Sequence, residues 1–169
     1  MPKHCELRCG AKYTLLRDEF LEAKKDKKRV KKKNKTIFLG LGGADHKNLN
    51  IKILKVVEKF KKSLKVNLVT TTANKNLEEL EEYCKDKKWI NLQINSNKVA
   101  KLMSKSDFAI VTPSVTANEI FYLDLPMINI KTAKNQNQMH KYLKKKGYFT
   151  MKKFDKQKLN KYLKLFLKR

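Results

Sequence analysis

From residue 36 onward, short apolar runs alternate with longer segments of helical period. The runs at 36–41 (TIFLGL), 65–70 (KVNLVT), 89–94 (WINLQI), 107–111 (DFAIV) and 127–130 (MINI) read as buried strands, and 148–151 (YFTM) is a candidate sixth. Between the first two, 46–63 carries Leu49, Ile51, Ile53, Leu54, Val56, Val57 and Phe60 at roughly helical spacing. The segment 76–87 keeps Leu77, Leu80, Tyr83 and Cys84 on one side, and 97–104 turns Val99, Ala100, Leu102 and Met103 inward. Further helices are expected at 115–123, at 135–146, where Gly147 serves as the residue past the C-cap, and at 155–168. Strands that alternate with helices require crossover connections. The expected fold is therefore α/β: a Rossmann-like parallel sheet of five or six strands with helices on both faces.

The first 35 residues lack this alternation. Residues 7–20 (LRCGAKYTLLRDEF) read as a connector that delivers the chain to something else. The run at 24–35 (KKDKKRVKKKNK) has no apolar period and reads as an exposed loop or frayed helix end. The expected organisation is a connector with a basic loop over 1–35 and one domain over 36–169.

Composition narrows the function classes. The chain has 169 residues, enough for one domain with a real core, and 41% of them are hydrophobic, too many for a disordered polyelectrolyte. No apolar run approaches the ~20 residues of a membrane span, and MPKHCELRCG has no signal-peptide core, so the expected location is the cytoplasm. The net charge of +25 suggests nucleic acid, but all except four of the 41 basic residues are lysine. Arginine supplies the planar fork of base and phosphate readers, so most of this charge reads as a solvated face with non-specific attraction to polyanions at low salt. Cys5 and Cys9 lie near His4, but no second Cys/His pair completes a tetrahedral site, and no metal or cofactor is expected. Three cysteines (Cys84 is the third) make no disulfide framework.

Two strand-to-helix turns carry the candidate chemistry. GLGGADHKN (40–48) brings the backbone of Gly42, Gly43 and Ala44 close to any ligand and then opens a helix whose N–H groups can meet phosphate. It is neither a Walker A loop nor the dinucleotide fingerprint, and Asp45 is equally a helix cap. The second turn, Thr112-Pro113-Ser114, also precedes a helix. Ser114 is an N-cap candidate, and Glu119, one turn on, is either surface or a carboxylate able to accept both hydroxyls of a ribose. The strand end at Gln93 and Ile94 can offer backbone groups to a base, and the amides of Asn135 and Gln136 suit sugar hydroxyls or simply cap a helix. No Ser-His-Asp or Cys-His arrangement is legible, and the lone His46 makes no case for catalysis.

These motifs, in this order, resemble the C-terminal domain of the GT-B nucleotide-sugar enzymes. They are most similar to the UDP-sugar hydrolases of pseudaminic acid biosynthesis (PseG) and the related spore-coat polysaccharide proteins (SpsG), and more distantly to the peptidoglycan GlcNAc transferase MurG. CELRCGAKYTLLRDEF resembles the interdomain connector of that family, LGLGGADHKNL its first phosphate loop, NKVAKLMSKSDFAIVTPSVTANEIFYLDLPMINI its uridine and ribose segment, and KNQNQMHKYLKKKGY its sugar-side helix. The resemblance implies UDP or a UDP-sugar as ligand. It puts Gly42, Gly43, Ser114 and Val115 along the diphosphate, Glu119 at the ribose, backbone near Ile94 at uracil, and Asn135 and Gln136 towards the sugar, with Ala44 and Asn118 also lining the UDP-sugar site. It also implies that the family's N-terminal domain, with its proposed catalytic His, is absent. No residue here inherits a catalytic role, and a separate N-terminal half-enzyme becomes a candidate partner. A MurG-type transferase domain and a basic RNA-binding module stay open as alternatives. So does a membrane-surface role for the last helix, where Leu159, Leu163, Phe166 and Leu167 lie among lysines.

Overall fold

Strands whose residues are apolar on both faces need cover on both faces, and the helices between them supply it. The computed structural model describes residues 5–6, 13–25 and 34–168. Cys9, the first half of the connector and most of the lysine run at 24–35 lie outside the described residues. The elements follow in the order α1 (Asp18–Lys25), β1 (Lys35–Gly40), α2 (Leu49–Val57), β2 (Leu64–Thr70), α3 (Leu77–Cys84), β3 (Ile90–Ile94), α4 (Val99–Ser104), β4 (Phe108–Val111), α5 (Val115–Tyr122), β5 (Met127–Ile130), α6 (Asn137–Lys145), β6 (Phe149–Met151) and α7 (Lys156–Lys168).

The six strands form one sheet of order β3-β2-β1-β4-β5-β6, and every pairing is parallel. This is the doubly wound Rossmann order. The α/β expectation holds, and the candidate sixth strand is real, with Phe149 opposite Ile128. The period-two pattern sorts the strand side chains into two cores. Ile37, Leu39, Val66, Leu68, Phe108, Ile110, Ile128 and Ile130 pack with α2, α3 and α7. Phe38, Ala109, Val111 and Met127 face the other way, against Ala100 and Met103 of α4, Ala117 and Ile120 of α5, Leu143 of α6 and Phe20 of α1.

Two expectations need correction, and the membrane-surface alternative for the last helix falls. The helix expected over 46–63 is shorter: α2 spans Leu49–Val57 and continues only as one 3-10 turn, Glu58–Phe60. Its start is delayed because Asp45 and Asn48 take positive φ, 34° and 47°, which a helix cannot absorb. The helix expected from 135 opens as a 3-10 turn, Lys134–Gln136, before α6. The apolar stripe of α7 is not free for a membrane. Leu159, Leu163 and Phe166 are buried, Phe166 stacks on Phe108 with ring centroids 4.5 Å apart, and Lys35 Nζ donates to the Phe166 carbonyl at 2.7 Å. Among the described residues no helix is long and apolar enough to cross a membrane.

The sequence did not announce α1. Its DEFLEAKK carries acidic residues in the first turn and basic ones in the last, matching the helix dipole, and it buries Phe20 completely.

Candidate functional site

Strand order reverses between β1 and β4, so the loops that follow them part company above adjacent strands and leave a crevice at the carboxyl edge. Gly40 is paired with Val111, so the glycine loop and the Thr112-Pro113-Ser114 turn leave the sheet at the same level. The β5 exit, leading to Asn135 and Gln136, lies beside the β4 exit. The sheet therefore gathers Gly42, Gly43, Ala44, Ser114, Val115, Asn135 and Gln136 on one edge. Ile94 ends β3, the outer strand on the other flank, with β2 and β1 between it and β4.

The two turns differ sharply at the helices they open. In the first, the Asp45 carboxylate folds onto α2 and accepts the N–H of Leu49 and of Asn50, each at 2.9 Å. Burial pushes the Asp45 carboxyl up from its usual range, while these two backbone donors and then Lys52 and His46 pull it back. The α2 N-terminus expected to receive phosphate is thus already occupied by a carboxylate. What stays open is the loop itself. Gly42 has φ +86° and free space around its Cα, so its backbone can be approached closely. Gly43 abuts the neighbouring turn so closely that a Cβ there would clash with Thr71 Oγ1.

In the second turn the Ser114 side chain does not cap α5. Its hydroxyl lies 3.1 Å from Thr112 Oγ1, and its N–H donates to the Thr112 carbonyl at 2.9 Å. The start of α5 therefore presents backbone donors without a side-chain acceptor, with Val115 65% exposed at its mouth. Asn118 and Glu119 follow on α5, both half-buried.

Glu119 is held from an unforeseen direction. Its side chain is only 12% exposed, and its Oε1 lies 3.2 Å from Arg17 Nη2. Arg17 Nη1 lies 2.6 Å from Glu19 Oε1, and Glu19 Oε2 accepts the N–H of Ala100 in α4 at 3.4 Å. Burial raises the Glu119 carboxyl above its ordinary range, Arg17 lowers it, and Glu19 raises it further. This network runs from α4, the helix after Ile94, through the connector to α5. Two of its members, Arg17 and Glu19, were legible only as part of a connector.

Other supports were also missed. Thr70 Oγ1 donates to the Gly43 carbonyl at 3.3 Å, Asn74 Nδ2 to Thr70 Oγ1 at 3.3 Å, and Asn76 Nδ2 to the Asp45 carbonyl at 3.3 Å. The polar cluster after β2 thus buttresses the glycine loop; its only sequence signal was a run of Thr and Asn. Asn95, at φ 51°, ties the β3 exit to Thr72 through its side-chain carbonyl at 3.1 Å, which fixes the backbone beside Ile94. Gln136 uses its carbonyl oxygen to accept from Thr132 N at 2.8 Å, so its NH₂ is the group left for a ligand, while Asn135 is exposed. A recess of roughly 470 Å³ between Lys47, Lys52, Lys131 and Lys153, floored by Leu49 and Phe154, adds positive potential beside α2.

No protein-family model matches the chain. In sequence it is 34% identical over 148 residues to the UDP-2,4-diacetamido-2,4,6-trideoxy-beta-L-altropyranose hydrolase of Campylobacter jejuni, a match covering 88% of this chain and 52% of that protein. The chain thus spans about half the length of this relative. Among solved structures, Staphylococcus aureus MnaA, determined with UDP, superposes with a TM-score of 0.64 at 14% identity over 81% of this chain and 37% of its own. Acinetobacter baumannii MurG superposes with a TM-score of 0.63 at 15% identity over 99% of this chain and 49% of its own. The resemblance drawn from the connector and the two turns therefore holds: the chain is a sequence relative of the UDP-diacetamido-trideoxy-altropyranose hydrolase and shares its Rossmann-like fold with MnaA and MurG.

Proposed function

We propose that this domain binds UDP or a UDP-sugar at the carboxyl edge where β1 and β4 diverge. Gly42, Gly43 and Ala44 face the diphosphate from one side, and Ser114, Val115 and the open start of α5 face it from the other. Asn118 and Glu119 hold the ribose, backbone at Ile94 meets uracil, and Asn135 and Gln136 meet the sugar. The observation that carries this reading is Glu119: a carboxylate 12% exposed, one turn past a helix start that no side chain caps. A diol needs two acceptors on one rigid group, and a buried carboxylate provides them. The relative's name, a hydrolase of a UDP-linked sugar, and the UDP in the MnaA structure support the ligand class.

In this reading residues 1–35 act as connector and residues 36–169 as the nucleotide domain of a cytoplasmic UDP-sugar hydrolase of nonulosonic (pseudaminic) acid synthesis. The chain by itself binds without hydrolysing, because no residue in it is assigned to acid-base chemistry. Calorimetric titration with UDP tests the binding. Glu119→Ala is expected to lose roughly 1.5–3 kcal/mol, the cost of hydrogen bonds to a charged acceptor. Unchanged affinity in that variant, or no heat at millimolar UDP, overturns the assignment.

A further inference from the structure

Nothing about a ribose-binding carboxylate requires a connector, yet the connector reaches this one. Arg17 holds Glu119 Oε1 at 3.2 Å with one arm of its guanidinium and Glu19 Oε1 at 2.6 Å with the other. The arginine is anchored: its guanidinium carbon lies 5.1 Å from the centroid of the Phe20 ring, and Phe20 is fully buried. Glu19 is tied in turn to the Ala100 N–H at the start of α4. A planar fork spanning two carboxylates, each on a different element, fixes orientation in a way that a lysine point charge does not.

We propose that Arg17 is a positioning residue for the nucleotide site: through Oε1 it sets the orientation of the Glu119 carboxylate, so that ribose affinity depends on the connector. The proposal rests on the reading of Glu119 as the ribose acceptor. A carboxylate has about four lone-pair sites, and one bond from Arg17 leaves enough of them for a diol. Arg17 also acts on charge. Burial and Glu19 both favour the protonated form of Glu119, and Arg17 is the group that opposes them. Without the guanidinium, a buried Glu119 takes up a proton at higher pH, and a protonated carboxyl loses part of its acceptor capacity. A steeper loss of binding at low pH than the wild type shows is then the signature, since protonation of the UDP phosphate is common to both. Loss of packing alone would not produce it.

The experiment measures affinity for UDP and 2′-deoxy-UDP by calorimetry between about pH 5 and 8. It compares the wild type, Arg17→Met, Arg17→Lys and Glu119→Ala, with thermal melts as a check on folding. The wild type is expected to prefer UDP over the deoxy analogue at every pH. Arg17→Met is expected to lose about tenfold in UDP affinity at neutral pH, an order set by a charge-assisted bond. It should recover affinity as pH rises and discriminate less between the two nucleotides. Arg17→Lys keeps the charge without the fork, so its pH profile should follow the wild type's, which includes the titration of the UDP phosphate itself, while discrimination falls. If Glu119→Ala leaves UDP affinity and discrimination unchanged, the ribose reading fails and the positioning role falls with it. If Glu119→Ala loses discrimination while both Arg17 variants keep wild-type discrimination and the wild-type pH profile, the positioning role alone is wrong.

Discussion

Asp45→Ala separates a capping carboxylate from a ligand-binding one. Asp45 is 7% exposed and accepts the N–H groups of Leu49 and Asn50, both in buried residues. Alanine leaves both donors without this acceptor. Loss of a cap costs about 0.5–2 kcal/mol, with the upper end expected where the freed N–H groups are buried. Alanine at φ 34° adds about 1 kcal/mol of left-handed strain that Asp tolerates better. Part of this is returned because burial already penalises the charged form of Asp45. The net expectation is a loss of about 2–3 kcal/mol, equivalent to about 4–12 °C in Tm for a chain of this size. Asp45→Gly, which removes the cap without the strain, should fall between wild type and alanine. Asp45→Asn keeps an acceptor and should be mildest. The sign of the pH dependence follows from the raised carboxyl. Its contribution is fully present below the unfolded value near 3.8 and is lost as pH rises through the folded value, so Asp45→Asn should gain on the wild type over that window. Denaturant melts give the stabilities, and UDP titration gives the second readout, which should not fall in any of the three variants. A Tm within about 1 °C of wild type in Asp45→Ala, or a collapse of UDP binding at unchanged Tm, would refute the capping argument.

Burial, followed by Lys131, Lys144, Lys158 and Lys152, holds the His140 imidazole below 6.5, so its contribution is present above 6.5 and lost as pH falls through the folded value. His140→Gln should flatten that part of the urea-melt stability profile; an unchanged profile would contradict it. Phe166→Ala removes the ring stacked on Phe108 and should cost about 3–5 kcal/mol in a denaturant melt, whereas a free membrane-facing helix would lose little. The Cys84 thiol is buried and pushed up to about 11, so native protein near pH 8 should be alkylated at exposed Cys5 far faster than at Cys84, as mass spectrometry of the labelled peptides would show. Equal rates would mean that the α3 side of the core opens readily.

The sheet was legible because parallel strands buried on both faces leave continuous apolar runs. FAIV and MINI are buried at every position, and the structure places them where the pattern does. Strand order was not legible, since periodicity says which residues are buried and nothing about which strand lies beside which. The start of α2 was misread because the backbone leaves the helical region there, with positive φ at Asp45 and Asn48, and the start of α6 because its first turn is 3-10. Gly42, Glu119 and Asn135 could be marked as candidates by residue type and place after a strand. Arg17 could not: its partner Glu119 lies 102 residues away, and an arginine in a polar connector carries no periodic signal.

The two turns show where local sequence stops deciding. By residue type both turns offer a cap, Asp45 before α2 and Ser114 before α5. The structure uses only the first. The Ser114 hydroxyl is drawn to Thr112 across a tight turn, while the positive φ of Asp45 and Asn48 folds the longer loop back so that a carboxylate reaches two donors at once. The consequence is electrostatic. The α2 dipole is largely answered by a buried carboxylate and has little left for a ligand, whereas the α5 dipole remains available. In the proposed reading, a diphosphate entering this crevice would meet one open helix start and the backbone of a glycine loop. Arg17, paired with Glu119 and Glu19, would then act on nucleotide affinity from the connector through the ribose acceptor rather than through the phosphates.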